Sequence, residues 1–186
     1  MHGERVKAFD ANLAGVGKGS AMSEKAEAHG SYHVECFDAD GNLKWSDEIE
    51  NLVTYAGKND ALDKYLSGAA YTAAWYVGLV SLTSYTTGAA IGDTSASHAG
   101  WIEDINYSQT ARPTASFAAA ASGSKALSTA AVFTLSANTT IKGCFLISVA
   151  TKSGTTGILY SAGLFTAGDK VVQTGDTLSV SYTASL

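Results

Sequence analysis

Apolar and polar positions alternate with period two over much of the chain, and the period shifts to a helical spacing in one place. Tyr32, Val34 and Cys36 alternate with His33, Glu35 and Phe37; beyond "DADGN", Leu43 and Trp45 alternate with Asn42 and Lys44. Two such runs around Asp40-Gly41 predict a β-hairpin over residues 31–46. In "AGKNDALDKYLSG", residues 56–68, the spacing becomes helical: Leu62, Tyr65 and Leu66 fall on one face, Asn59 or Asp60 is the expected cap, and Gly68 the expected stop.

Downstream the pattern is that of strands. "AWYVGLVSL" (74–82) is an apolar run rich in aromatic and β-branched residues. "WIEDINY" (101–107) places Trp101, Glu103, Ile105 and Tyr107 on one face. "AAVFTLS" (130–136) and "IKGCFLISVA" (141–150) read as strands joined by the turn Ala137-Asn138-Thr139. In the second, Ile141, Phe145, Ile147 and Val149 are expected to share a face. "GILYSAGLF" (157–165) follows the turn Ser153-Gly154. In "DTLSVSYTASL" (176–186), Leu178, Val180 and Tyr182 oppose Ser179, Ser181 and Thr183, the cleanest half-buried strand in the chain. Pro113 stands where proline is tolerated, before the strand-like "TASFAAAA". Many short strands and one helix predict an all-β fold, an antiparallel β-sandwich of jelly-roll-like or related topology. The irregular stretch 83–100, "TSYTTGAAIGDTSASHAG", is long enough to carry a contact or a site.

Residues 1–30 do not follow the strand pattern. They mix Gly, Ala, Lys, Glu and Ser with few large apolar side chains, Val6, Phe9, Leu13, Val16 and Met22. "SEKAEA" (23–28) has helical propensity but is too short and polar to stand alone. The expected organisation is an extended N-terminal arm, 1–30, and a sandwich domain, 31–186. The 186 residues suffice for a substantial core. No apolar run approaches 18 residues, so no membrane partner is expected, and "MHGERVKAFD" lacks the apolar core of a signal peptide.

Charge sharpens this picture. Residues 1–60 hold 11 acidic and 6 basic side chains, whereas residues 61–186 hold only 6 of each. A typical chain is about a quarter charged, so the larger part must present Ser, Thr, Ala and Gly at its surface or be covered. Without a basic patch, nucleic acid is not an expected direct partner.

Candidate chemistry is sparse. "DADG" opens like a calcium loop, but Gly41 comes two residues too early, and the twelfth position from Asp38 is Ile49, not Glu. His2, His29, His33 and His98 have no ligand spacing, so no metal is expected. Cys36 and Cys144 sit in apolar runs and read as free buried thiols. His98 stands near Asp93, Ser95 and Ser97, but local sequence supplies no triad; it is expected to pack near Trp101. Glu103 and Asp104 would face opposite sides of a strand and form no glycosidase pair. Asp47, Glu48 and Glu50 read as a solvated face. "GVGKGS" (15–20) lacks the spacing of a phosphate loop. No catalytic residue, cofactor or enzyme activity is expected.

"YHVECFDADGNLKWSDEIENLVTYAGKNDALDKYLSG", "WYVGL", "GDTSASHAGWIE", "IKGCF" and "GTTGILYSAGLFTAGDKVVQTGDTLSVSY" together resemble a family of virion-associated structural proteins of tailed bacteriophages, over roughly residues 31–186. The resemblance implies a particle component made in the host cytoplasm. The first expectation is a capsid cement or decoration protein on the head surface, a homotrimer that binds the major capsid protein. Val6, Phe9, Leu13 and Val16 would then be the apolar anchors by which the arm holds shell subunits or a neighbouring copy. A head-fibre, tail or head–tail junction protein is the structural alternative. A carbohydrate-binding module using Trp75, Tyr76, Tyr85 and Trp101 is the alternative from another class.

Overall fold

A computed structural model describes residues 27–71 and 74–186. The described chain runs β1 (His29–Phe37), β2 (Leu43–Glu50), β3 (Leu52–Val53), α1 (Tyr55–Leu66), β4 (Tyr76–Ser81), β5 (Glu103–Asp104), β6 (Ser124–Ala126), β7 (Ala131–Thr134), β8 (Thr139–Ile147), β9 (Leu159–Leu164), β10 (Lys170–Val172) and β11 (Thr177–Ser185). All strand pairs are antiparallel. One sheet has the order β2-β1-β11-β6, with β7 also on β11. The other has the order β3-β9-β8-β4-β5, with β10 also on β8. The two sheets form the expected antiparallel β-sandwich. Its first strand starts at His29, so the last two residues assigned to the arm belong to the sheet.

The hairpin forms as its alternation requires. Tyr32, Val34 and Cys36 are fully buried, and their register partners Tyr182, Val180 and Leu178 on β11 are buried with them. The corner is shaped by Asp38. Its carboxylate accepts from the Asp40 amide (3.0 Å), the Asn42 amide (2.8 Å) and the Asn42 side chain, while Gly41 takes φ 86°. Asp38 thus acts as a turn residue that satisfies nearby backbone. Bonds from the Asn42 side chain and backbone hold its carboxyl below the usual carboxylate range.

Both sheets contain interrupted strands. β9 and β10 pair with consecutive parts of β8, and β6 and β7 with consecutive parts of β11. The excursion between β9 and β10 swings Phe165 inward against Trp45, with ring centroids 5.6 Å apart. The main core fills the space between the sheets. A second cluster of Val80, Trp101, Phe145, Ile147, Leu159 and Ala162 lies apart from it, with Tyr85, Ala89, Val149 and Leu164 packed against it.

Several expectations change. Residues 101–107 do not alternate as a strand: only Glu103–Asp104 form one, Tyr107 makes an isolated bridge to Leu135, Trp101 and Tyr107 are buried, and Ile105 is exposed. The chain bends there because Asp104 turns inward and accepts from the Ser81 and Thr139 hydroxyls and the Asn106 amide. The turn 137–139 does not close a hairpin, since β7 and β8 belong to different sheets. Asn138 instead accepts from the Thr174 amide at 2.9 Å. "TASFAAAA" contributes isolated bridges at Thr114, Phe117 and Ala121 and no strand. Of the four residues expected to share a face of the eighth strand, Phe145, Ile147 and Val149 do. Ile141 joins Cys144 and Leu146 in the main core, because a register shift opposite Val80/Ser81 inserts Lys142 and flips the pleat.

Candidate interaction surface

Helix α1 begins as a consequence of how the chain leaves the sandwich. Asn51 carries it from β2 into β3, where Leu52 and Val53 pair with Ala162 and Ser161. Thr54 follows in extended conformation. Its hydroxyl accepts from the Gly57 amide at 3.1 Å and donates to the Leu159 carbonyl at 2.5 Å, while its own amide donates to the Tyr160 carbonyl. Thr54, not Asn59 or Asp60, is therefore the cap, and it ties the helix start to β9. Gly57 lets the helix lie directly on Tyr160, because a Cβ there would come within 2.6 Å of the Tyr160 carbonyl oxygen. Gly68, at φ 64°, ends the helix as expected, and the Ala69 amide donates to the Asp63 carbonyl.

The polarity of this helix is inverted. Its body-facing side carries Gly57, Asp60 and Lys64, with Lys64 and Asp60 paired at 2.5 Å. The apolar stripe points to solvent: Leu62 is 55% exposed, Leu66 72% and Tyr65 88%. Tyr55, Tyr71 and the C-terminal Leu186 are also exposed. Leu62 and Tyr65 wall a groove of about 760 Å³ whose other side is built from Ala120, Ala184 and Leu186. The sequence displayed the stripe, but not its direction. Helical spacing marks which residues share a face; which face meets the body depends on where the chain enters the helix.

The second candidate is a cleft of about 470 Å³ next to the long loop, lined by His98, Trp101, Glu103, Asp104 and Arg112. Its charges are matched internally. The Arg112 guanidinium grips Glu103 through two bonds of 2.8 Å and donates to the Val149 carbonyl, and the Ser153 amide also donates to Glu103. His98 packs on Trp101, with centroids 4.2 Å apart, and its Nδ1 donates to the Trp101 carbonyl. Asp93 receives the Trp101 indole N–H and the Ala90 amide, while the Ser95 hydroxyl donates to the Thr156 carbonyl. The residue types of a triad are thus engaged separately, and the largely exposed loop 83–100 is fastened to the body through its buried Asp93 and Ser95.

Val6, Phe9, Leu13 and Val16 lie outside the described residues, as does "GVGKGS". Cys36 and Cys144 are free and buried. Trp101 is buried; Trp75, Tyr76 and Tyr85 are half-buried against the core, which leaves no row of exposed rings there. One reading of the acidic cluster is corrected. Glu48 and Glu50 are exposed, but Asp47 is folded inward, 2.8 Å from Lys170 and bonded to the Thr166 hydroxyl. Burial opposes its ionisation, but Lys170, Thr166 and the Ala167 amide prevail and hold its carboxyl below the usual range. Among the described residues, no group of three or more His, Cys, Asp or Glu could hold a metal ion, and no helix is long and apolar enough to cross a membrane. No protein-family model matches the chain, and no curated protein matches it.

Proposed function

We infer that this protein is a structural component of a tailed-bacteriophage particle, a cement or decoration protein that binds neighbouring subunits of the capsid shell. The observation that carries the reading is the outward apolar stripe of α1, Leu62, Tyr65 and Leu66, on a helix fastened by its capped end. Large exposed apolar patches on a folded domain mark contact surfaces. The scarcity of charge after residue 60 and the resemblance of residues 31–186 to virion structural proteins support the same assignment. The action is mechanical: the protein covers area shared by adjacent subunits, and a contact of standard size buries about 1,600 Å² in total.

The test is the copy number in purified particles, by quantitative mass spectrometry against the major capsid protein. A ratio near stoichiometric supports a head coat. A few copies per hundred shell subunits transfers the assignment to a tail, head-fibre or junction component. Absence from particles overturns it.

A further inference from the structure

The cleft beside the long loop is separate from the face of α1 and has the make-up of a small-molecule site. Its volume of about 470 Å³ lies within the range of such pockets. Distant parts of the chain converge on it: His98 from the loop, the bent stretch from Trp101 to Asn106, Arg112, and the turn 153–155. The floor is apolar, formed by Trp101, Phe145, Ile147 and Leu159 of the second cluster. Ile102 and Ile105, 41% and 47% exposed, bring further apolar surface to the opening.

Three charged side chains in the lining are almost wholly buried. Asp104 is 1% exposed, and the Arg112 and Glu103 side chains are 2% and 5% exposed. Glu103 neutralises Arg112 and also accepts from the Ser153 amide and the Tyr107 hydroxyl, so the pair is fixed in place. Two capacities remain. A guanidinium has five N–H groups, and the bonds to Glu103 and Val149 use three. The Asp104 carboxylate accepts from two hydroxyls and one amide and pairs with no cation among the described residues. A carboxylate has about four acceptor sites, so one is left. At the rim, the Asn106 side-chain amide and the Thr83 and Thr155 hydroxyls bond to no other described group.

We propose that this cleft binds one ring of a neutral saccharide. A hydroxyl both accepts and donates, so hydroxyls on neighbouring carbons serve Arg112 and Asp104 in one pose. A charged ligand is disfavoured on either sign: an anion meets the Asp104 carboxylate and a cation the Arg112 guanidinium within the same small space, and desolvation opposes both. The apolar floor and the two isoleucines suit the C–H face of a sugar ring. His98, stacked on Trp101 with its Nδ1 committed to the Trp101 carbonyl, keeps Nε2 for a ligand hydroxyl. Because the ion pair is already braced, binding requires little reordering of the lining.

The test is titration of the full-length protein, free of particles, with the methyl glycosides of glucose, mannose, galactose and N-acetylglucosamine, followed by NMR. At least one is expected to saturate with a Kd of about 5 mM or tighter. It should move the Trp101 indole N–H and His98 ring signals while the amides of α1 stay in place. Asn106→Ala with Thr155→Val is expected to weaken that binding by about fivefold or more. Thr83→Val, at an exposed side chain, is expected to weaken it as well and covers the case in which the pair does not fold. Failure of all four glycosides to move Trp101 and His98 overturns the proposal. So does binding that the rim substitutions leave unaltered. N-methylacetamide stands in for a peptide ligand; if it moves the same signals with equal or higher affinity than the best glycoside, the cleft is an amide site and the saccharide assignment fails. Since no particle is present, the outcome is independent of the copy-number measurement.

Discussion

Gly143 occupies the closest approach of β8 to β9. A Cβ there would overlap the Gly163 carbonyl oxygen and come within 2.8 Å of the Leu164 Cα, and both obstacles are backbone. Gly143→Ala is therefore expected to cost about 3 kcal/mol or more, by overpacking that no side-chain movement relieves. Gly92→Ala, which meets nothing within 4 Å, should stay within about 0.5 kcal/mol of the parent. Urea midpoints of the two variants check this pair. The thiols make a second prediction. Burial, aided by the Asp176 carboxylate, pushes the Cys36 thiol up to about 11, and burial also raises Cys144 well above the ordinary value. Neither should react with iodoacetamide in the native protein at pH 8, and both should react once it is unfolded. The folded state retains protons that the unfolded state releases. Stability is thus complete below about pH 9 and falls as pH rises from 9 toward 11. Denaturation midpoints across that window should decline, and a rise would contradict the assignment.

At the scale of elements, α1 separates what holds the helix from what it offers. Thr54→Val removes both the cap and the hydroxyl that donates to Leu159, and should cost about 1–2 kcal/mol. Tyr65→Ser, at a side chain 88% exposed, should leave stability within about 0.5 kcal/mol but weaken particle binding by tenfold or more. Equilibrium unfolding and co-sedimentation with particles lacking the protein measure the two effects. The elements also divide by how well the sequence announced them. β1 and β11 were legible because each buries one face only, so alternation survives along β1 and as far as Tyr182 in β11. β8 is buried nearly throughout, and apolar residues on both faces left nothing to signal the inserted Lys142. The stretch around Glu103 misled because Trp101 and Tyr107 looked like strand residues, while the decisive contacts came from Asp104 and Arg112.

In the whole molecule, the sandwich is extended by a third layer on one side, where the loop 83–100 and Trp101 close over the second apolar cluster. Arg112 and Glu103 tie the stretch after this layer to the chain beyond β8, with side chains only 2% and 5% exposed. Arg112→Ala would leave the Glu103 carboxylate buried without its partner. The expected loss is about 3–5 kcal/mol, read as a lowered urea midpoint, whereas Arg112→Ala with Glu103→Gln should recover part of it. The same scale governs the candidate surface. A helix whose charged side lies against the body and whose apolar side faces water is stable only because its capped start, Gly57 contact and internal ion pair hold it.

The chain by itself determined the hairpin and its Asp40-Gly41 corner, the free buried thiols, the final strand, the existence of the helix and the sandwich class. These follow from local turn chemistry and from a period that one-sided burial imprints on consecutive residues. Only the tertiary structure decided which sheet each strand joins, which way the stripe of Leu62, Tyr65 and Leu66 points, and that Asp47 and Asp104 turn inward. Those outcomes depend on partners many residues away, Lys170 for Asp47 and Thr139 for Asp104. A periodic pattern records that a residue has a side; it does not record what stands on that side.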